Sequence, residues 1–433
     1  MVDVDDELEP NILLSEVKLT EKFVASFVVA LEESKSVLVV VRQDSVTTYS
    51  YPLQGALKPL QHQKLTSRIA NACTYRDSSD FRNYILLATN TGDLLVLDQN
   101  LEHVDSYSFQ KQDFGYQPLL KAEPSLHHVY VSVGGCRIAA LDIRRGNKSR
   151  GFFDLSNGIT YIYKGERTVV SIDLCWDLDA VSGDKMVISI LTKDRFTKEF
   201  FFETIQLLGK VASYNSIEAW RTTKSPQKID IPVYWSTSPI ISVPNLGTFL
   251  ITAQDTWFFK SPNLQQFVLN GQETIRSVEV GACSVKNLDL KVVSNVRYFW
   301  KSDTLTLVGC TNHGNIFELT CKVSYTQDTK TCKRGFLLCQ HHSIEWLESF
   351  PPCTIEAFTH LADSTYLLVS KLKGLLVVDL NINQLVTEIP YRNETVLHSE
   401  LVGLGRTDFT RLITCGGSSS STGFVEVRRK TCN

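Results

Sequence analysis

The chain is poor in adaptable side chains and has no lopsided charge. Only two methionines stand against 22 phenylalanines and 15 tyrosines in 433 residues. That ratio argues against a pliable helical core and favours stiff aromatic and β-branched packing. Forty-four Lys and Arg against 47 Asp and Glu leave a formal charge of −3. No general field therefore draws the chain to nucleic acid or anionic lipid, although a local basic patch is compatible with that sum. The longest apolar run, Phe23 to Leu31, is about half of the roughly 20 residues that a bilayer-spanning helix needs. Met1 is followed by Val-Asp-Val-Asp-Asp-Glu-Leu-Glu, acidic where a secretory signal would be basic and then apolar. The cysteines number 11, an odd count, and no two have the CxxC spacing of a zinc knuckle or redox pair. These absences predict a reduced, intracellular, soluble protein. In such a protein the sequons at Asn147 and Asn393 stay idle, and most cysteines act as small core residues. Apolar residues at 43% with 21% charged exclude wholesale disorder.

What is present is a recurring pattern: four to six apolar, β-branched or aromatic residues, a short polar turn often carrying Gly, then a second apolar run. It occurs at Val37–Tyr51, Tyr84–Asp98, Val129–Asp142 and, with a longer turn, Met186–Ile205. It returns at Phe249–Lys260, Leu305–Leu319, Tyr366–Asp379 and Leu412–Val427. Each obeys strand-turn-strand logic, because Gly, Asn, Asp and Ser tolerate the turn's backbone angles. Weaker runs between them, such as Ile69–Tyr75, Ile159–Lys164 and Val293–Trp300, supply further strands. Helical periodicity is nearly absent, and only Glu345–Phe350 or Leu207–Ser216 could hold a turn or two.

Two strands alone cannot bury an apolar face. About four strands per 45 to 63 residues is the pattern of an all-β fold of the β-propeller kind. Eight hairpins could mean eight blades. The preferred expectation is seven four-stranded blades, with the first and last hairpins sharing the closing blade, because such a join removes exposed edges. An antiparallel sandwich pair is the competing arrangement. The domain reading is an acidic tail over 1–11, one propeller domain over 12–430, and a short C-terminal end over 431–433. Gly416–Gly423 reads as a long turn and not as a linker.

Catalytic vocabulary is scarce. There is no GxxxxGK[ST], GxSxG or HExxH, and Gly403-Leu-Gly405 is half of a dinucleotide fingerprint with no helix pattern behind it. Cys310 and His313 have a zinc-like spacing, with Cys321, Cys332, Cys339, His341 and His342 downstream. However, a tetrahedral site is usually built from two tight pairs, and Cys310 also fits the buried alternation of its strand. Asp98, Asp142 and Asp379 each end a hairpin, a regularity that suggests accepting backbone N–H bonds more than catalysis. Trp235, Trp257, Trp300 and Trp346 read as packing between blades. The basic runs Arg144, Arg145, Lys148, Arg150 and Arg428, Arg429, Lys430 read first as solvated loop and chain end. Their functional reading is contact with phosphate or an acidic partner. No catalytic residue, metal ligand or cofactor site is expected.

The segment from Arg411 to Gly417 (RLITCGG), a Ser-rich turn, and Gly423 to Arg429 (GFVEVRR) resemble an element of one propeller group. That group comprises the large subunits of damaged-DNA-binding protein and of cleavage and polyadenylation specificity factor, with their splicing-factor three-b relative. There, the element closes the first propeller. Asn312 to Leu319 (NHGNIFEL), Ser349 to Pro352, Leu367 to Ser370, Tyr84 to Leu97 and Gly247 to Phe258 are similar to other parts of that propeller and come in the same order. The resemblance spans roughly residues 12 to 430 and rests on order and spacing. It implies a seven-bladed propeller without an enzymatic site, acting as a scaffold in nuclear multiprotein complexes. Members of the group carry three propellers and a helical C-terminal domain, so a fragment or a shortened relative is the expectation.

The leading functional expectation is a non-catalytic scaffold for protein subunits of a nuclear complex of the cullin–RING ubiquitin ligase adaptor type, used in DNA repair and chromatin. Nucleic acid would be contacted at most indirectly, and neither a membrane nor a small-molecule substrate is expected. The alternatives are a splicing or 3′-end processing scaffold that touches RNA, a vesicle-tethering propeller of the citron-homology type, and an enzyme. The last would need convergent carboxylates or metal ligands.

Overall fold

The computed structural model describes residues 8–11, 17–18, 23–32, 35–50, 58–77, 81–109, 118–144, 151–156, 158–177, 185–207, 220–222, 226–229, 240–244 and 246–251 and, from there on, the strands named below and residue 303. Among them there is no helix, and the architecture is β-propeller-like: antiparallel sheets of four or five strands, eight in number. Each expected hairpin is the middle pair of strands in its own sheet. The weaker runs supply flanking strands, as Ile69–Arg76, Thr160–Lys164 and Val293–Lys301 show. The chain divides into two compact units.

The first unit holds the first, second, seventh and eighth sheets. The first sheet comprises Phe23–Glu32, Lys35–Arg42, Ser45–Ser50 and Lys58–Lys64, and the second comprises Ile69–Arg76, Asn83–Thr89, Asp93–Asp98 and His103–Ser108. Val37, Val39 and Val41 pack with Ile69, Ile85, Leu87 and Leu97 of the second sheet. The intervening Leu38 and Val40 are fully buried too, which is why that strand reads as an unbroken apolar run. Burying each of these side chains contributes about 1.5–3 kcal/mol. The second sheet's central turn is fastened by polar groups. Thr89 Oγ1 accepts the Asp93 N–H at 2.9 Å, the Ser108 hydroxyl donates to Asp93 at 2.6 Å, and Gly92 takes a φ of 93°.

The seventh sheet comprises Ile355–Ala362, Thr365–Ser370, Gly374–Asp379 and Gln384–Ile389. The eighth comprises Val396–Gly403, Phe409–Gly416 and Ser421–Arg429, with Leu8–Asn11 and Val17–Lys18 both paired to Ser421–Arg429. Two expectations change here. The first and last hairpins do not share a sheet: Lys35–Arg42 and Ser45–Ser50 belong to the first, and Phe409–Gly416 and Ser421–Arg429 to the eighth. The sheet is completed instead by Leu8–Asn11, the end of the stretch read as an acidic tail. The register sets Glu9 across from Arg428 and Leu8 across from Arg429. First strands of neighbouring sheets pack on one another: Ile355–Ala362 on Val396–Gly403, and Phe23–Glu32 on both Val396–Gly403 and Ile69–Arg76.

The second unit holds the third to sixth sheets. The third comprises Leu120–Glu123, His128–Val133, Arg137–Asp142 and Thr160–Lys164. The fourth comprises Thr168–Asp177, Lys185–Lys193, Phe200–Leu207 and Trp220–Thr222, with Gln227–Ile229 also on Phe200–Leu207. Between them Leu126, Tyr130, Ile138 and Tyr163 interlock with Val169, Ile172, Ile188, Ile190 and Ile205. The fifth sheet comprises Ile240–Val243, Gly247–Ile251, Asp255–Lys260 and Arg276–Glu279. The sixth comprises Val293–Lys301, Thr304–Thr311, Ile316–Gln327 and Arg334–His341, with Glu345–Trp346 added. Glu345–Trp346 was expected to begin a helical turn. It pairs instead with Phe317 and Glu318 of the long strand Ile316–Gln327, beyond the part that Arg334–His341 covers; residues 347–350 and 208–219 lie outside the described residues. Trp300, read as packing between blades, is 39% exposed.

Candidate functional site

The basic residues singled out in sequence are only partly placed. Arg144 follows the strand Arg137–Asp142 and is turned back on its own loop. Its Nη2 lies 3.4 Å from the Phe153 carbonyl oxygen and 4.0 Å from an Asp154 oxygen. Asp154 is held below the usual carboxylate range by the Ser156 hydroxyl and N–H, with Arg144 adding to this. Arg145, Lys148 and Arg150 lie outside the described residues, as does Lys430. Arg428 and Arg429 lie within the last strand, across from Glu9 and Leu8, and not on a loose chain end. Of the zinc candidates, Cys321 and His341 are cross-strand partners and Cys310 faces Ser294 and Ile316 in register. His313, Cys332 and His342 lie outside the described residues. Among the described residues no three His, Cys, Asp or Glu come together as metal ligands.

The hairpin-ending aspartates divide in role. Asp98 accepts the N–H groups of Asn100 and Glu102, both at 2.8 Å, as expected of a strand end. Asp142 does something else: one oxygen sits 2.9 Å from Nε2 of His128, a ring only 4% exposed. The His128 Nδ1 lies 3.1 Å from the Tyr130 hydroxyl. That histidine gave no sequence signal, because nothing local marks a buried imidazole.

Polar links join successive sheets of the second unit. Asp173, on the fourth sheet's first strand, accepts the Ser242 N–H of the fifth sheet at 2.8 Å and lies 3.5 Å from Lys121 of the third. Tyr298, on the sixth sheet's first strand, has its phenol pushed up by burial and then by the neighbouring Cys175 and Asp173. The hydroxyls of Ser189, Ser242 and Thr248 form a buried cluster between the fourth and fifth sheets. Asp173, Ser189, Ser242 and Thr248 are thus engaged by groups of an adjoining sheet, as satisfied polar networks between packed elements are.

The most developed surface lies at one end of the third and fourth sheets. Its base is a turn, Gly134 to Cys136, with positive φ at Gly134 and Gly135. The carbonyls of Gly135 and Cys136 accept the N–H groups of Val169 and Gly165 at 2.6 and 2.9 Å, which fixes the next loop against the turn. A Cβ on Gly165 would come within 2.7 Å of Tyr163 Cζ, so only glycine lets that ring lie where it does. Tyr163 donates to Glu203 at 3.0 Å across the sheet boundary. Glu203, 6% exposed, also forms an ion pair with Arg167, whose Nη1 lies 3.6 Å away. Burial, then the Glu203 charge, pushes the Tyr163 phenol far up.

Above that base the cations lie on aromatic rings. The Arg137 guanidinium and Lys164 Nζ sit 5.9 and 5.3 Å from the Tyr161 ring centroid. The Arg167 guanidinium is 3.8 Å from that of Phe201, and Lys193 Nζ is 4.9 Å from that of Phe200. Arg195 Nε donates to Thr168 Oγ1 at 3.3 Å. The hairpin tip is set by Asp194, whose carboxylate accepts the N–H groups of Thr197 and Phe196 and is lowered below its usual range by those bonds. At that tip Phe196 is 93% exposed. No uninterrupted run of basic residues marks this face in the sequence, because its charges come from three loops and the strand Gln227–Ile229, brought together by the sheets.

The class of protein is therefore an all-β, propeller-like one with a built surface and sheet-to-sheet polar links. Residues 24–391 match the family model described as "Uncharacterised protein YJR039W N-terminal domain", and the chain belongs to that family. None of the curated proteins matches it. Among the described residues no helix is long and apolar enough to cross a membrane.

Proposed function

We propose that the protein is a non-catalytic β-propeller scaffold, with the eight sheets as its blades. It holds protein subunits of a nuclear multisubunit complex of the cullin–RING ubiquitin ligase adaptor type. The single observation carrying this reading is the face of the third and fourth sheets. Its cations are anchored on rings and its exposed phenylalanine stands on a capped turn before any partner arrives. Side chains already held in place lose little freedom on association, which is how a rigid wheel of loops gains affinity. The polar links from sheet to sheet support the same reading, since they stiffen the platform that carries the loops. The choice of complex rests on the sequence resemblance to the damaged-DNA-binding and cleavage-factor group.

The test is purification of the tagged protein at native abundance from nuclear extract, followed by size exclusion and mass spectrometry. Co-elution with a cullin and a RING subunit in near-equal amounts is expected. Recovery of splicing or 3′-end processing subunits would keep the scaffold and overturn the ubiquitin-ligase assignment. A protein that is confined to the cytoplasm, or elutes from nuclear extract only as a free monomer, would overturn the whole reading.

A further inference from the structure

We propose that the face of the third and fourth sheets docks an acidic peptide segment of a partner protein, with one apolar side chain of that segment packed on Phe196. The inference rests on the scaffold reading for its biological role and goes beyond it in naming the chemistry of the partner. Seven cations are held at this end of the two sheets: Arg137, Lys164, Arg167 and Lys193 over rings, Arg195 on Thr168, Lys198 on the Arg195 carbonyl and Lys228 on Glu199. The four carboxylates among them include three with assigned partners. Glu203 is buried against Tyr163 and Arg167, Asp194 caps the turn, and Glu199 is bound to Lys228 at 2.6 Å. Among the described residues of this face, only Glu166 adds an exposed acid without such a role. A face of surplus positive charge thus surrounds one fully presented aromatic ring. Consistent with crowding, the Lys193 ammonium is held below its usual range by partial burial and by Lys198.

The arrangement favours a peptide over single-stranded RNA. A strand of RNA is gripped by a series of open ring faces on which successive bases stack. Here Tyr161, Phe200 and Phe201 already carry Lys, Arg or both over their rings, and among the described rings of this face only Phe196 stands clear. One apolar anchor within a basic surround instead suits a segment of glutamates or aspartates interrupted by a leucine or phenylalanine. The anchor supplies buried area and the charges supply rate and register. The stacked cations are ordered in advance, so their immobilisation costs little on binding.

The test uses the purified full chain and a fluorescent glutamate-rich peptide with one central leucine. Saturable binding is expected, and it should weaken as salt rises from about 0.1 to about 1 M and the screening length falls from about 10 to about 3 Å. Phe196→Ala and a leucine-to-serine peptide should each lose about tenfold, and together no more than either alone, as expected of a shared contact. Arg195→Glu with Lys198→Glu should abolish binding, while Lys58→Glu with Lys64→Glu, the same charge change on the first sheet, should not. A peptide that does not bind, indifference to Phe196→Ala, or tighter binding of an oligouridine RNA would overturn the inference. Any of those results together with recovery of the nuclear complex would sink the inference alone and leave the scaffold standing.

Discussion

Gly165→Ala tests the junction of the third and fourth sheets at a single methyl group. The added Cβ would lie 2.7 and 2.8 Å from Tyr163 Cζ and Cε1, with the phenol oxygen closer still. Tyr163 is 8% exposed and part of the core shared by the two sheets, so the ring has no empty space to move into. Overpacking of this kind costs about 1–3 kcal/mol. Displacing the ring also breaks its hydrogen bond to the Glu203 carboxylate, worth about 1.5–3 kcal/mol for a charged acceptor. A destabilisation of about 2–4 kcal/mol follows, since the two effects share one displacement and add incompletely. Urea titration followed by tryptophan fluorescence measures the loss. Hydrogen exchange over Thr160–Lys164 and Phe200–Leu207 localises it. Tyr163→Phe removes the nearest clashing atom and the hydrogen bond together. Gly165→Ala should therefore cost about 1–2 kcal/mol less in that background than in the wild type, the coupling expected of touching residues. Additive effects, or a Gly165→Ala change within about 0.5 kcal/mol of wild type, the range of ordinary surface substitutions, would refute the steric account.

Glu203→Leu should destabilise the second unit by about 1–3 kcal/mol, because it strips the buried Tyr163 hydroxyl of its acceptor; chemical denaturation measures this. Asp142→Ala leaves Nε2 of the 4% exposed His128 without its carboxylate, at a cost of about 1–3 kcal/mol, and the loss should appear as faster exchange along His128–Val133. The Tyr163 phenol is raised in the folded state, so its stabilising effect is complete below the unfolded value of about 10 and fades as pH climbs beyond it. Wild type should accordingly lose more melting temperature than Tyr163→Phe between neutral and strongly alkaline pH, and parallel curves would contradict the assignment. Removing residues 1–11 should speed exchange along Ser421–Arg429, because the strand Leu8–Asn11 then no longer covers that edge; unchanged exchange would count against the pairing.

The strands were legible because each hairpin states its period and its turn within about fifteen residues. Tyr84–Asp98 carries apolar runs on both sides of Asn90-Thr91-Gly92, and nothing distant is needed to read it. Pairing across the length of the chain was not legible. Leu8–Asn11 is short and begins within an acidic stretch, and its partner strand lies near the opposite end, so no local rule joins them. The interaction face was hidden for a related reason. Arg137 stands alone, Lys164 and Arg167 flank Gly165-Glu166, and Lys193, Arg195 and Lys198 are interrupted by Asp194, Phe196 and Thr197, so only the sheets join these short groups into one face. The denser cluster Arg144, Arg145, Lys148 and Arg150 is the stronger local signal, yet Arg144, its one described member, is turned toward its own loop. Asp142 shows the limit of regularity as a guide. It ends its hairpin as Asp98 does, yet a buried histidine on the adjacent strand sets its use.

The union of Leu8–Asn11 with Ser421–Arg429 makes the eighth sheet a clasp that cannot shut until all the residues between those two strands have left the ribosome. Loop closure over such a span is entropically slow, so the clasp is expected to be a late folding event, with the local hairpins assembling ahead of it. Because these two strands lie side by side, a permuted gene of residues 8–429 that joins them directly and opens elsewhere would turn this distant step into a local one.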